Sequence, residues 1–237
     1  MTSPRLYLLD VEGTTSPISL VSEQLFPFAR RHLQAYLREH VGEPEVDADL
    51  ALLAGENSAE TAADCPGFAG GDGANRASDY LLWLMDRDRK STALKSLQGK
   101  IWKAGFEAGE LVGTVFADVP EALARWSRIA KAAIYSSGSV EAQQLLFRHS
   151  SAGDLTPYLS GYFDTRVGAK GAAESYRAIA AAMGVVTAEV LFVSDLVQEL
   201  DAAREAGCGT RLSLREGNQP VADAKGHAEI RIFTGIG

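Results

Sequence analysis

A pair of carboxylates, Asp10 and Glu12, stands directly after a short apolar run, Leu6–Leu9. The run is typical of a buried strand, and small residues follow the carboxylates in the sequence Gly13-Thr14-Thr15. Open parallel sheets carry their chemistry beyond the carboxyl ends of their strands. Two carboxylates at that position can hold a hard cation and attack an electrophile. The structural alternative is that Asp10 only caps the next helix, because Asp is a favoured N-cap residue.

Three later segments place polar residues at the predicted ends of other strands: Ser136-Ser137-Gly138-Ser139, Lys170 after Gly168, and Ser194-Asp195. Hydroxyl and free N–H groups at a helix start can bind a phosphate, a Lys can neutralise its oxygens, and a strand-terminal Asp can bind Mg²⁺. Taken singly, each segment has a plainer explanation as a helix cap or a surface charge. Together, and in this order, they supply the nucleophile, the cation site and the phosphate contacts that phosphoryl transfer requires.

The histidines do not suggest a competing Ser-His-Asp site. They fall on predicted helices or near the end of the chain, and they are His32, His40, His149 and His227. Because the nucleophile and base of such a site have to lie within hydrogen-bond reach of each other, we expect all four histidines to be surface residues.

The residues from about 19 to 110 predict helices, without a strand among them. Apolar residues recur every three or four positions in this stretch, which is the pattern of a helix that buries one face. The predicted helices are 19–40, 45–63, 76–88 and 92–106, and a loop rich in Gly and Pro is predicted at 64–74.

The rest of the chain alternates between strands and helices. Strands are predicted at 6–9, 112–116, 132–135, 162–164, 189–193 and 209–212, with a last edge strand at 230–233. Helices are predicted between them at 120–129, 140–149, 172–183 and 198–206. Units of this kind and length predict an α/β fold, in which helices cover both faces of a parallel sheet.

We therefore predict two domains. Residues 1–18 and 111–237 form an α/β core, and residues 19–110 form an all-helical domain inserted after the first strand. An insertion directly after the first catalytic turn is placed to act as a cap, which would exclude water and recognise the substrate. An unrelated helical domain inserted at the same point is the alternative.

Composition and charge limit the classes of partner. The chain has 237 residues, a formal net charge of -8 and 46% hydrophobic residues. The negative charge argues against nucleic acid or an anionic membrane as the main partner. Cys65 and Cys208 match no metal-ligand spacing, and neither a signal peptide nor a membrane-spanning run is visible. We expect a soluble, cytoplasmic, monomeric protein.

The four polar segments resemble the motifs of the haloacid dehalogenase (HAD) superfamily, in the order nucleophilic Asp, Ser, Lys and acidic residue. The finer pattern is similar to the enolase-phosphatase E1 family of methionine salvage. The matching stretches are 10–15, 97–102, 109–111, 118–120, 135–143, 163–165 with Lys170, and 194–195 with 199–203. They extend over nearly the whole chain, so the resemblance is to this family rather than to the superfamily in general.

The resemblance implies a HAD-like Rossmannoid parallel-sheet core with a helical cap, and a bifunctional enzyme that uses one Mg²⁺ per chain. Its substrate would be a small phosphate ester, 2,3-diketo-5-methylthiopentyl-1-phosphate. This substrate would be enolised and then dephosphorylated to the acireductone 1,2-dihydroxy-3-keto-5-methylthiopentene.

The resemblance also implies roles for particular residues. Asp10 would form an aspartyl-phosphate and bind Mg²⁺, together with Asp195 and with Glu12 through its main-chain carbonyl. The phosphoryl group would be bound by Ser136 and Ser137 and neutralised by Lys170, and the turn would be supported by Thr14 and Thr15.

Glu12 distinguishes this chain from most of the superfamily, which has Asp at that position as the acid and base. The side chain of Glu is one methylene longer, so its carboxyl group cannot take the same place without an adjustment of the backbone or the cap. The resemblance leaves open whether Glu12 acts by its side chain, which group is the base for enolisation, and which cap residues contact the methylthio tail.

Three other functions remain as alternatives. A HAD phosphatase that acts on another small phosphate ester would use the same motifs. A phosphomutase would pass the phosphoryl group to a sugar instead of water. A catalytically silent α/β binding module would have disrupted motifs, whereas Asp10, Ser136, Lys170 and Asp195 are all present.

Overall fold

The computed structural model describes residues 3–68 and 73–236 of the protein. Backbone contacts divide the chain into two compact units, Met1–Ser22 with Leu111–Gly237 and Glu23–Glu110. Every strand found in the described residues belongs to the first unit, and the second unit is helical.

The described part of the helical unit forms four α-helices: α1 Phe26–His40, α2 Pro44–Ala59, α3 Gly73–Asp86 and α4 Thr92–Glu107. A π-helical turn, Leu20–Leu25, leads into α1. Leu33 and Leu37 of α1 are buried, as are Leu97 and Ile101 of α4. The spacing of four residues in each pair is that of a helix face turned towards a core. In the part of the chain that the structure describes, no helix is long and apolar enough to cross a membrane.

The α/β unit is built on a parallel sheet, whose described strands are β1 Leu6–Leu9, β2 Lys131–Tyr135, β3 Gly161–Phe163, β4 Val190–Ser194, β5 Gly209–Ser213 and β6 Ala228–Ile230. The strand order is β3-β2-β1-β4-β5-β6, so β1 is interior. Leu9 of β1 lies opposite Ile134 of β2 and Val193 of β4. All residues of β1 are buried, as in parallel sheets that are covered on both faces. The predicted α/β class is thus confirmed.

Helices cover the two faces of this sheet: α5 Val119–Trp126, α6 Val140–Arg148, α7 Ala173–Ala182 and α8 Val197–Glu205. Successive side chains of a strand point to opposite faces. Leu6 and Leu8 accordingly share one core cluster with buried residues of α7 and α8, whereas Tyr7 stacks on Trp126 of α5 with 4.3 Å between ring centroids. This two-sided burial fixes the end of β1 and therefore the residue that follows it.

The strand predicted at 112–116 is wrong. This segment has an isolated bridge between Gly113 and Ser150, and the Gly113 N–H donates to the His149 carbonyl at 2.8 Å. A Cβ on Gly113 would lie 2.9 Å from the carbonyl carbon of Leu146, so the backbone here packs closely on the end of α6. Both sides of β1 are already taken by β2 and β4, which leaves no place for another strand beside it.

Several other boundaries differ from the prediction. The helix predicted at 45–63 ends at Ala59, and the helix predicted at 120–129 ends at Trp126. The last strand is Ala228–Ile230 rather than 230–233, because Phe233 lies in a 3-10 turn and packs its ring on Trp126. Residues 64–68 of the predicted loop are loop, 69–72 lie outside the described residues, and Ala74 is already part of α3.

Candidate active site

Asp10 lies at the carboxyl end of β1. Its N–H donates to the Val193 carbonyl of β4 at 3.0 Å, which extends the parallel ladder by one residue. Only 6% of its side-chain surface is exposed. Oδ1 accepts a hydrogen bond from the Val11 N–H at 2.8 Å, and Oδ2 lies 3.4 Å from Ser194 Oγ. The carboxylate is therefore held where a parallel sheet presents its chemistry.

A tight turn follows Asp10. Thr15 Oγ1 donates to the Asp10 carbonyl at 3.0 Å. The Val11 carbonyl accepts hydrogen bonds from the N–H groups of Thr14, Thr15 and Ser16. These contacts close the turn, in which Glu12 is half-buried.

Gly13 allows this turn to approach Asp195. Its φ of +65° lies in the left-handed region, which glycine adopts without a steric penalty. Its N–H donates to the Ser16 carbonyl at 2.8 Å. A Cβ on Gly13 would lie 2.7 Å from Cγ of Asp195, so the Asp195 carboxylate packs directly against the turn that follows Asp10.

Lys170 bridges two carboxylates in this site. Its Nζ lies 2.7 Å from Asp10 Oδ1 and 2.7 Å from Glu199 Oε2, and 11% of its side chain is exposed. Burial lowers the pKa of Lys170, but the attraction of Asp10 and Glu199 outweighs burial, so the pKa is raised overall. The ammonium group therefore stays charged beside Asp10.

Two buried tyrosines fix the loop that carries Lys170. Tyr176 Oη of α7 donates to the Lys170 carbonyl at 2.6 Å, and Tyr135 Oη at the end of β2 donates to the Gly168 carbonyl at 2.9 Å. Since both hydroxyls belong to side chains of the core cluster, the position of the Lys170 backbone is set by the core itself.

Glu199 is a site residue that the sequence analysis did not assign. It lies in the first turn of α8, and its Oε2 accepts hydrogen bonds from both Lys170 Nζ and Ser194 Oγ, the latter at 2.9 Å. Its position in the sequence is a usable signal, because Glu199 follows Asp195 by four residues and lies in the first turn of the helix after β4. A side chain in that turn is close to the end of the strand. Glu199 is thus a second carboxylate that holds the Lys170 ammonium, beside Asp10.

Ser136 and Ser137 follow β2, the neighbour of β1. Ser136 is buried, and its N–H donates to the Phe163 carbonyl at 3.1 Å, while its Oγ accepts a hydrogen bond from the Gly138 N–H at 3.2 Å. Gln143 Nε2 donates to the carbonyls of Gly138 and Phe163. Ser137 is exposed. Gln143 thus links the loop after β2 to the end of β3.

Three carboxyl groups around Asp10 have raised pKa values: those of Glu12, Asp195 and Glu199. Burial, and then the charges of Asp10 and Glu199, raise the pKa of Asp195 to about 7. Burial and Asp10 raise the pKa of Glu12, against the opposing charge of Lys170. Burial and Asp10 also raise the pKa of Glu199. In all three groups burial is the largest cause of the raised pKa, and the charge of Asp10 adds to it.

Comparison with known proteins places the chain in a family. Residues 4–207 match the family model described as haloacid dehalogenase-like hydrolase. The protein named enolase-phosphatase E1 of Synechococcus elongatus is 57% identical over 215 residues, which are 90% of each chain. The chain belongs to the enolase-phosphatase E1 family of haloacid dehalogenase-like hydrolases.

Two further relatives extend this similarity over the whole length of the hydrolase. Enolase-phosphatase E1 of Pseudomonas aeruginosa is 47% identical over 230 residues, 97% of this chain and 96% of the relative. The crystal structure of the Unknown transcript 4 protein of Saccharomyces cerevisiae superposes with a TM-score of 0.81 at 33% identity, covering 99% of this chain and 100% of the yeast chain. The family predicted from the four motifs, and the prediction that the protein is an enzyme, are confirmed.

The predicted metal ligands of this hydrolase are Asp10, Glu12 and Asp195. Among the described residues, no group of three or more His, Cys, Asp or Glu side chains is arranged as a metal site. The predicted set is of a different kind, because it combines two carboxylates with one main-chain carbonyl.

Whether these ligands fit a cation depends on which carbonyl groups of the turn already accept hydrogen bonds. Hydrogen bonds are accepted by the carbonyls of Asp10, Val11, Gly13, Thr14, Thr15 and Ser16. Among the hydrogen bonds found in the described residues, none uses the Glu12 carbonyl. An uncommitted carbonyl beside two carboxylates is the donor set that a hard cation prefers, so the residues present fit Mg²⁺.

The histidine prediction is wrong for His227. Its side chain is fully enclosed, with Nδ1 2.7 Å from Thr210 Oγ1 and Nε2 3.2 Å from Asp201 Oδ1. The segment before β6 folds over β5 and α8, and this covers the ring. His227 thus fastens the C-terminal segment of the hydrolase to α8.

Proposed function

We propose that this protein is a Mg²⁺-dependent enolase-phosphatase of methionine salvage. Its substrate is 2,3-diketo-5-methylthiopentyl-1-phosphate, and its products are the acireductone 1,2-dihydroxy-3-keto-5-methylthiopentene and phosphate. The observation that carries the proposal is the buried contact between Lys170 Nζ and Asp10 Oδ1 at 2.7 Å. It puts a carboxylate nucleophile and a charge for phosphate oxygens in one place, and the relatives at 43–57% identity bear the corresponding name.

The phosphatase half-reaction follows from the placement of Asp10. An oxygen of its carboxylate attacks phosphorus, the bond from phosphorus to the ester oxygen breaks, and the leaving oxygen takes up a proton. Water then attacks the aspartyl-phosphate, releases phosphate and restores Asp10. Lys170 neutralises the phosphoryl oxygens during both steps, because its raised pKa keeps it charged.

Glu12 is proposed to handle protons at the leaving oxygen. It stands two residues after Asp10 on the same turn, and burial raises its pKa. A carboxyl group of raised pKa keeps a larger protonated fraction near neutral pH, which a general acid requires. This use of the side chain is compatible with a contribution of the Glu12 carbonyl to the metal site.

Mg²⁺ would be held by Asp10, Asp195 and the Glu12 carbonyl, and when bound it would polarise phosphoryl and carbonyl oxygens. The metal site is supported by the packing of Asp195 on Gly13 and by the uncommitted Glu12 carbonyl. Ser136 and Ser137 are proposed to bind the phosphoryl oxygens, since they follow the strand next to β1. The helical residues 19–110 are proposed to act as the cap that selects the substrate.

A phosphatase for another small phosphate ester is the second candidate. Asp10 and Lys170 would contact only the phosphate group that every phosphate monoester shares, and Asp195 would contact only the metal, so none of the three selects among esters. The distinction lies in the enolisation, which only the diketo substrate undergoes.

The test is an assay with two signals. Purified protein with Mg²⁺ and the diketo phosphate is followed for inorganic phosphate and for the ultraviolet absorbance of the enediol, with p-nitrophenyl phosphate as a control substrate. Both signals should rise with the diketo phosphate, and the control should react slowly. Release of phosphate from the control but not from the diketo phosphate would refute the proposed substrate. The protein would then be a phosphatase that acts on another ester.

A further inference from the structure

Three side chains, from the last residue of β5 and the segment after it, hold the turn after Asp10. Ser213 Oγ and Asn218 Nδ2 both donate to the Gly13 carbonyl, at 3.0 and 2.9 Å. Arg215 Nε donates to the Thr14 carbonyl at 3.2 Å. These donors lie about 200 residues away in the sequence, so the turn is fixed by a distant part of the chain as well as by its own contacts. We call residues 213–218 the brace segment.

Arg215 is the buried centre of the brace segment. Only 3% of its side chain is exposed. Its Nη1 donates to both carboxylate oxygens of Asp118 at 2.9 and 3.0 Å and to the Arg231 carbonyl at 2.7 Å. Phe116 and Phe233 place their rings 4.6 and 4.5 Å from the guanidinium carbon. The guanidinium is thus held by charge, hydrogen bonds and two aromatic rings.

Stability alone gives a poor account of this arrangement. A buried ion pair is often no more stabilising than apolar side chains of the same volume, because both charges lose their hydration. The arrangement does use a property that only Arg has: a rigid planar group whose donors point in several directions at once. One of those donors, Nε, donates to the Thr14 carbonyl in the turn after Asp10.

The turn needs this support because of Gly13. Glycine has more accessible backbone conformations than other residues, and at φ +65° it links Glu12 to Thr14. Donors on the Gly13 and Thr14 carbonyls restrict the Gly13–Thr14 and Thr14–Thr15 peptide groups. The Phe116 N–H adds a hydrogen bond to the Thr15 carbonyl at 3.0 Å. All of these hydrogen bonds form within the chain itself, without a ligand.

We propose that Arg215 is a positioning residue for the Mg²⁺-binding turn. Held by Asp118, Phe116 and Phe233, it fixes the Thr14 carbonyl, and with Ser213 and Asn218 it keeps the turn in the conformation that binds the cation. The proposal rests on the proposed function in one respect, since it takes the turn to be the metal site. A pre-ordered site binds more tightly because less conformational freedom is lost on binding.

The test compares Arg215→Lys with Arg125→Lys. Lys at 215 keeps a positive charge for Asp118 but has no Nε donor. Arg125 is a matched control, because it donates to the carbonyls of Phe233 and Ile236 at 2.9 Å and lies 5.7 Å from the Trp126 ring. It therefore anchors the same C-terminal segment by carbonyl contacts but does not touch the turn.

Three measurements are made on each folded variant: hydrogen exchange, Mg²⁺ affinity and steady-state kinetics. Hydrogen exchange of residues 10–18 in metal-free protein reports the order of the turn, and calorimetric titration with Mg²⁺ alone reports affinity. Arg215→Lys should accelerate exchange in this segment and weaken Mg²⁺ binding on the order of 10-fold, with a fall in kcat that exceeds the change in KM. Arg125→Lys should leave all three at the wild-type level, even if its melting temperature falls.

Equal behaviour of the two variants in exchange and Mg²⁺ affinity would overturn the proposal. If Arg215→Lys does not fold, Asn218→Ala removes another donor to the turn from a half-buried position, and unchanged exchange in residues 10–18 of that variant would overturn it as well. Failure of the proposed function looks different, because wild-type protein would then neither bind Mg²⁺ nor release phosphate, while the exchange comparison would still stand.

Discussion

The backbone of Gly13 lies directly against the carboxylate of Asp195. A Cβ added to Gly13 would approach Cγ of Asp195 to 2.7 Å and Asn218 Oδ1 to 2.9 Å, and real Cβ atoms do not come this close to other heavy atoms. The site thus requires glycine for two reasons, its left-handed backbone and the space taken by Asp195.

Gly13→Ala should therefore disturb the proposed metal site as well as stability. The Ala methyl group would displace Asp195, so we expect Mg²⁺ affinity to fall on the order of 10-fold or more. Gly184→Ala is the matched control, because Gly184 has a φ of +68° and only Lys131 Nζ, at 4.0 Å, near its added Cβ. That variant should lose about 1 kcal/mol of stability and keep its affinity. Calorimetric titration and thermal unfolding measure the two effects, and equal Mg²⁺ affinity in both variants would contradict the interpretation.

Asp10→Asn should abolish phosphate release while the fold stays intact. An amide oxygen is a poor nucleophile, and we expect kcat to fall by at least about 10³-fold. Circular dichroism and thermal unfolding check the fold. Asp86→Asn is the control, since Asp86 forms an exposed ion pair with Arg30 at 2.7 Å, and it should retain full activity. Full turnover by Asp10→Asn would refute the nucleophile assignment.

Lys170→Met should lower both activity and stability. It leaves Asp10 and Glu199 buried without their shared cation, and the loss of one partner from a buried ion pair costs about 3–5 kcal/mol. Phosphate-ester binding and turnover should weaken together. The control is Lys100→Met in the helical unit, where Lys100 Nζ pairs with Asp49 Oδ2 at 2.7 Å. That variant should lose stability but keep kcat. Unchanged kinetics in Lys170→Met would make Lys170 a structural residue.

The positions that follow strand ends were predictable because they depend on local patterns. The apolar run Leu6–Leu9 predicts a strand, and the sheet then places Asp10 at its catalytic edge. Lys170 and Asp195 follow from the same reasoning, and the structure brings both to the Asp10 turn. Local pattern failed at residues 112–116, where an apolar run predicts a strand but the sheet has no free neighbouring position.

The supporting residues were not predictable from local sequence. Arg215 reaches the turn only after β5 has been placed two strands from β1, and nothing near Arg215 in the sequence indicates that contact. Glu199 is an intermediate case, because its position in the first turn of α8 is readable, whereas its hydrogen bond to Lys170 depends on the packing of the loop after β3. Roles that depend on which segments meet in space require the structure.

Asp195 should make the stability of the metal-free protein depend on pH. Burial and the charges of Asp10 and Glu199 raise its pKa to about 7 from an ordinary value of 3.8. Between these values the folded chain holds a proton that the unfolded chain has lost, so the free energy of unfolding decreases as pH rises and levels off above about 7. Partial exposure of Asp195 keeps the slope below the limit of about 1.4 kcal/mol per pH unit for one proton.

Denaturant titrations in the presence of EDTA between pH 5 and pH 8 measure this slope. Glu12 and Glu199 add to it in the same direction, because their pKa values are also raised. Asp195→Asn should reduce the slope, since the amide carries no charge at any of these pH values, and it should make the metal-free protein more stable than wild type at pH 8. Mg²⁺ should stabilise wild-type protein more at pH 8 than at pH 5, because protons compete with the cation for Asp195. A slope that is the same in Asp195→Asn and in wild type would show that Asp195 ionises in the folded chain as it does in the unfolded one.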